Sequence, residues 1–177
     1  MENIQKILYN VSGYKKGGVW MLSLRPIAFV HNERKMIMDD EWGDVQSLIT
    51  LTDSYAEESI QGIEDFSHIE VIFYFHKVKD EQIQYSARHP RNNKEYPKIG
   101  IFAQRGKNRP NRLGATIAKV VRREGKSIVV EGLDAIDGTP ILDIKPVMRE
   151  FLPNEDILQP EWVTDLMKEY WKGSEVK

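Results

Sequence analysis

Cysteine is missing altogether from the 177 residues. Its absence excludes disulfides, thiolate metal centres and a cysteine nucleophile, and it fits a reducing compartment. Long hydrophobic runs are missing too: nothing approaches the roughly 18–20 apolar residues of a membrane-spanning helix. Ile4, Ile7, Leu8 and Val11 are interrupted by polar residues and no cleavage-like site follows, so no signal peptide is expected. The four histidines are scattered, with no His-Glu-x-x-His or comparable spacing, which argues against a metal site. Neither GxGxxG nor GxxxxGKS/T occurs, so a Rossmann or Walker-type nucleotide site is unsupported. Together these gaps predict a cytoplasmic protein with no membrane association and no metal.

What is present is an uneven charge distribution. The whole chain carries a formal charge of −2. Yet residues 88–126 hold twelve Lys or Arg against Glu95 and Glu124, a net +10, while the remainder is correspondingly acidic. A field concentrated in this way gathers anions. With 41% apolar residues the chain has enough material for one core.

Local patterns predict mostly strands. Residues 69–75 (IEVIFYF) are β-branched and aromatic, and residues 24–30, 45–51, 99–103, 116–122, 127–133 and 141–144 read as further strands. The 123–126 segment reads as a hairpin loop. Ser54 and Glu57 resemble a capping box ahead of a short helix over 55–63. Residues 77–98 form the longest polar loop. Pro160 and Gly173 bracket a helix over 160–171 with Trp162, Val163, Leu166, Met167, Tyr170 and Trp171 on one face. Strands that follow one another without long helices favour an antiparallel sheet or barrel. The expected organisation is a flexible N-terminal extension over 1–20, a β-domain over 21–153 and a C-terminal helix and tail over 154–177.

Two loops carry the chemistry. In the first, Arg105, Lys107, Arg109 and Arg112 are interleaved with Gly106, Asn108, Pro110 and Asn111. Guanidinium forks suit carboxylate or phosphate, although a solvated turn is the commoner fate of such a run. The second runs from Asp134 through Asp137-Gly138-Thr139-Pro140, strong turn chemistry whose carboxylates could also accept from ribose hydroxyls or an ammonium. Asp143 and Lys145 share one strand face and read as an outward ion pair unless a cleft covers them. Phe73, Tyr74 and Phe75 read as core rather than as a stacking platform. From the residues alone the chain is a β-rich domain with a cationic face, and no reaction is identified.

The motifs around these loops resemble the TsaA-like family, also called TrmO. The resemblance is carried by Gly100-Ile101-Phe102-Ala103-Gln104-Arg105, Arg109-Pro110-Asn111, Leu113-Gly114 and the long run from Gly132 through Asp134, Asp137, Asp143 and Lys145 to Pro146. Gly62 to His68, His76, and His89-Pro90-Arg91 add to it. The family's early Pro-Arg-Gln segment has no counterpart between Phe29 and Trp42.

The resemblance implies a mainly β fold, a single-sheet antiparallel β-barrel with a few short flanking helices, assembled as a homodimer. It implies S-adenosylmethionine as cofactor and tRNA as substrate, with N6-methylation of a threonylcarbamoylated adenosine beside the anticodon. It places His76, Lys77, Arg105, Ala115, Asp134, Ala135, Ile136 and Asp137 at the cofactor. Arg109, Asn111, Arg112 and Lys145 would face substrate or shape the pocket, and Asp143 is the candidate base. The alternatives are a methyltransferase for another RNA or small molecule, and a non-catalytic nucleic-acid-binding barrel.

Overall fold

The computed structural model describes residues 14–16 and 19–173. Strands β1 (Tyr14–Lys16) and β2 (Val19–Met21) pair antiparallel, within the stretch whose composition predicts an extension. The amphipathic piece expected over residues 4–11 lies outside the described residues.

Six strands close the barrel: β3 (Ala28–His31), β4 (Gln46–Leu51), β5 (His68–Tyr74), β8 (Leu113–Glu124), β9 (Ser127–Glu131) and β10 (Pro140–Pro146). Their order around the barrel is β10-β3-β4-β9-β8-β5, and every pairing is antiparallel. Two further strands, β6 (Ala87–Arg88) and β7 (Ile99–Gly100), pair outside it. The fold is therefore the mainly β barrel that the motifs imply.

Alternation fills the interior. Ile69, Val71 and Phe73 on β5 point into a core with Val30, Ile49, Leu51, Ala118, Ile128, Val130 and Ile141, as a period of two requires. On β10 the apolar parity slips, because Ile141 is core and Ile144, three residues later, packs against it. A bulge between Ile141 and Asp143 absorbs the odd spacing: Ile141 sits opposite Phe73 and Ile144 opposite Val71. A bulge makes two residues oppose one and lets both isoleucines reach the same interior. The β8–β9 hairpin closes with Glu124 opposite Ser127, so its loop is Gly125-Lys126.

Three local expectations give way. Residues 55–63 form no α-helix but two 3-10 turns, Glu57–Ile60 and Ile63–Asp65, with Gly62 at φ +82° between them. A left-handed residue there ends helical continuation, and the first turn begins at Ala56 with no side-chain cap, so Ser54 and Glu57 make no capping box. The strand expected over 99–103 shortens to the two residues of β7 and passes into a 3-10 turn, Ile101–Ala103. Its antiparallel partner β6 is itself only two residues long, and past the Ala87–Gly100 pair a single further bond, Ile101 N–H to Ser86 O at 3.2 Å, is made before the 3-10 turn takes over. The C-terminal helix α1 covers Glu161–Met167, and tighter bonds (Tyr170 N–H to Met167 O, 3.0 Å) carry the chain on to 172.

Candidate functional site

A cavity of about 890 Å³ opens beside β5 and β8, within the range of small-molecule sites. Its floor is Phe73, Leu113, Gly114, Ala115, Thr116 and Ile117. The walls come from the 37–42 segment, the long 76–109 connection, the 134–136 turn and the inner face of α1. The floor can form because residue 114 is glycine: a Cβ there would lie 2.4 Å from the Phe73 ring. Phe73 is core, as expected, and meets Phe75 edge-on at 5.2 Å.

Asp134 is the acidic centre of the site. The Thr116 hydroxyl donates to its Oδ1, and the Tyr170 hydroxyl donates to its Oδ2 at 2.5 Å. Thr116 is buried on β8 and Tyr170 arrives from the end of the C-terminal helix, so three distant segments meet at one carboxylate. An ionised carboxylate has about four acceptor positions, so these two donors leave room for a ligand. Burial, together with the Asp134 charge, pushes the Tyr170 hydroxyl far above the usual tyrosine range, so it stays a donor. The following turn is fixed by Asn32, whose side-chain amide donates to Ala135 O (2.9 Å) and to the buried Ser47 hydroxyl (2.8 Å).

Cations outnumber acids around the cavity. Lys77, Arg88, Arg91, Arg105, Lys107 and Arg109 line it, against Asp39 and Asp134. Arg91 and Lys107 are neutralised by Asp40 and Asp39. Arg105 donates to Ala115 O, Arg109 to Gln104 O and Lys77 to Lys35 O, all backbone carbonyls, while Arg88 reaches the Asn92 amide oxygen. Among the described residues no carboxylate forms an ion pair with these four. Gln104, which donates to Arg88 O and Ile99 O, anchors the start of the Arg105 loop to the β6–β7 region. His76 also lines the cavity. Burial first and the neighbouring Lys77 second hold its pKa below the ordinary histidine value, against an opposing pull from Asp137, so the imidazole is neutral at pH 7.

The cavity thus joins His76, Lys77, Arg105, Arg109, Ala115, Asp134, Ala135 and Ile136. Asp137 stands outside the lining. Its Oδ1 accepts from Asn32 N–H at 3.2 Å, and its own N–H donates to Arg34 O. Asn111 and Arg112 lie outside it too. Arg112 adopts φ +50°, pairs with Asp80 and donates to the Tyr74 hydroxyl at 2.9 Å. Lys145 donates to Asp143, both side chains are about half exposed, and neither lines the cavity. That is the outward ion pair expected in the absence of a covering cleft. Residue patterns did not single out Thr116, Arg88 or Tyr170. Thr116 read as an ordinary strand residue and Tyr170 as part of an apolar helix face, although its hydroxyl is a donor that the partly buried Asp134 carboxylate accepts.

Comparison with known proteins follows the same residues. Residues 38–151 match the family model of the tRNA-methyltransferase O N-terminal domain. A human tRNA (adenine(37)-N6)-methyltransferase is 39% identical over 104 residues, covering 59% of this chain and 23% of the human protein. A Pyrococcus abyssi protein, described as a probable S-adenosyl-L-methionine-binding protein, is 32% identical over 142 residues, covering 77% of this chain and 74% of the archaeal one. The chain therefore spans under a quarter of the human relative and about three quarters of the archaeal one. A crystal structure of TrmO from P. aeruginosa superposes with a TM-score of 0.66 at 22% identity, covering 83% of this chain and 64% of that one, a likeness of fold.

Proposed function

The chain belongs to the family of the tRNA-methyltransferase O N-terminal domain, and on that premise we propose that it is an S-adenosylmethionine-dependent methyltransferase acting on the exocyclic nitrogen of an adenosine in tRNA. The preferred acceptor in this reading is a threonylcarbamoyl-modified adenosine next to the anticodon. The observation that carries it is that Arg105 and the Asp134–Ile136 turn line one cavity.

The donor set fits such a cofactor. Arg105 uses one nitrogen on Ala115 O, which leaves guanidinium N–H groups for the carboxylate of the methionine moiety. Asp134 has acceptor positions left for ribose hydroxyls or the ammonium. Peptide groups of Ala115, Ala135 and Ile136 are within the same wall, and neutral His76 with Lys77 closes another side. Held by Arg105, Asp134 and the neighbouring peptide groups, S-adenosylmethionine would supply a methyl group already electrophilic on its sulfonium, with the S–C electron pair left on sulfur as the methyl passes to nitrogen.

The chain's own contribution is alignment and exclusion of water, the effects that positioning supplies. Arg88 and Arg109, each lining the cavity without a carboxylate partner among the described residues, would engage the RNA backbone. Arg112, held by Asp80 and Tyr74, would keep the Asn111 turn in shape. Asp143 is committed to Lys145 outside the cavity, so no base is assigned to it; both remain at the surface, where Lys145 would meet substrate only as the RNA extends beyond the cavity. We further take the protein as a cytoplasmic homodimer. None of its helices, among the described residues, is long and apolar enough to cross a membrane.

The test is incubation with methyl-labelled S-adenosylmethionine and total tRNA, followed by digestion to nucleosides. Label in an N6-methylated, threonylcarbamoyl-modified adenosine is the expected result. Cofactor binding with label in another molecule would move the substrate assignment, and salt-sensitive RNA binding with neither cofactor binding nor transfer would overturn the enzymatic reading. Sedimentation of the protein checks the dimer.

A further inference from the structure

The matched family domain ends at residue 151, yet the cavity is not complete there. Trp162, Leu166, Met167, Tyr170 and Trp171 supply one wall from the C-terminal helix and the turns after it. That segment is fastened at both ends. Near its start the Tyr96 hydroxyl donates to Asp165 at 2.6 Å, and Tyr96 leans on Trp162 with ring centres 6.2 Å apart. At its end Trp42 N–H donates to Tyr170 O (2.8 Å) and Glu41 N–H to Glu169 O (3.1 Å). The close approach requires glycine at residue 43, where a Cβ would meet Trp171 O at 2.2 Å.

The tethered backbone delivers a hydroxyl to the acidic centre. Tyr170 Oη lies 2.5 Å from Asp134 Oδ2, its ring held edge-on by Trp171 at 4.9 Å. We propose that Tyr170 is a positioning residue of the methyl-donor site, orienting Asp134 from a C-terminal segment that lies beyond the family domain. This inference rests on the cofactor reading given above. Tyr170 and Thr116 occupy one oxygen each, which fixes the carboxylate plane and therefore the directions in which its remaining lone pairs can accept. A carboxylate free to rotate would have to be ordered by the ligand, and that cost would appear as weaker binding.

The experiment compares wild type, Tyr170→Phe and Tyr96→Phe by calorimetric titration with S-adenosylmethionine and with S-adenosylhomocysteine, alongside thermal unfolding. Tyr96→Phe removes a side-chain tether of the same helix outside the cavity, so it reports a merely structural role. Tyr170→Phe should raise Kd for both ligands by about tenfold, roughly 1.4 kcal/mol, and Tyr96→Phe by less than twofold. In methyl transfer the same variant should raise KM for the cofactor and leave kcat within about twofold. In an Asp134→Asn background the Tyr170→Phe change should cost less than twofold more, because the group being oriented is already altered. Unchanged binding in Tyr170→Phe, or equal weakening in both tyrosine variants, overturns the proposal while leaving the cofactor reading intact. Absence of binding to the wild type overturns both.

Discussion

The Phe73 ring fills the space that a side chain on Gly114 would occupy, with the would-be Cβ 2.4 Å from two ring carbons. The two residues are directly opposed across β5 and β8, and both contribute to the cavity floor. Barrel packing and cavity shape therefore depend on the same contact.

Gly114→Ala consequently forces the Phe73 ring out of its place in the core. Inserting a methyl into such a site costs about 1–3 kcal/mol, and urea denaturation should show that loss. Combining it with Phe73→Leu, which removes the obstructing ring, should cost less than the two changes summed. Strict additivity would mean that the contact is not what limits residue 114.

Arg105→Ala should separate binding from folding. Arg105 is exposed and donates to the Ala115 carbonyl, so the melting temperature should hardly move. Charge-assisted hydrogen bonds contribute about 1.5–3 kcal/mol, so S-adenosylmethionine should bind roughly 10- to 150-fold more weakly. Calorimetry with the two proteins side by side is the check, and equal affinities would remove Arg105 from the site.

The cationic excess was visible in the amino-acid order, but the division between free and neutralised cations was not. Arg91 meets Asp40 across 51 positions and Lys107 meets Asp39 across 68, and such pairs between irregular loops leave no periodic trace. Only after these pairs are formed do Arg105, Arg88 and Arg109 stand out. Strands were legible where side chains alternate, as on β5, and β10's odd Ile141–Ile144 spacing needed the bulge to make sense. The Ser54–Glu57 pattern misled because a local cap signal cannot outweigh a left-handed Gly62 a few residues on. The turn around Asp134 was legible through its motif. Its partner Tyr170 was not, because a tyrosine on an apolar helix face looks like packing until the fold supplies a carboxylate.

Arg91 and Asp40 form a two-pronged pair, 2.8 and 2.5 Å, that ties the β6–β7 connection to the 37–42 wall. Both are about one-third exposed, so solvent screening keeps the coupling near 1 kcal/mol. A double-mutant cycle with Arg91→Ala and Asp40→Ala should return that coupling in denaturation experiments and shrink it in high salt. Zero coupling at low salt would show the pair to be incidental.

His76 sets a pH dependence whose sign follows from its environment. Burial and Lys77 depress its pKa, so the unfolded chain takes up this proton at a higher pH than the folded one. Stability is then free of the penalty above the ordinary value near 6.5 and is progressively lost as pH falls from there through the folded pKa. Urea denaturation at pH 7.5 and 5.5 should show a larger drop for wild type than for His76→Gln. An equal drop in both would mean that His76 does not carry this part of the titration.

Arg88 and Arg109 offer the most direct test of how RNA approaches. Each lines the cavity and donates to an uncharged oxygen, Asn92 Oδ1 for Arg88 and Gln104 O for Arg109. A guanidinium in that state can neutralise a phosphate without first giving up a carboxylate, and each phosphate so neutralised contributes about 0.7–0.9 to the slope of log affinity against log salt. Replacing either arginine by Ala should lower the slope by about that amount and weaken tRNA binding at low salt, with little effect on S-adenosylmethionine titrated alone. Arg91→Ala, starting from a cation already neutralised by Asp40, should change the slope much less. If Arg91→Ala flattened the salt dependence as strongly as Arg109→Ala, the RNA would be reading the total charge of residues 88–126 and not the unpaired cations around the cavity.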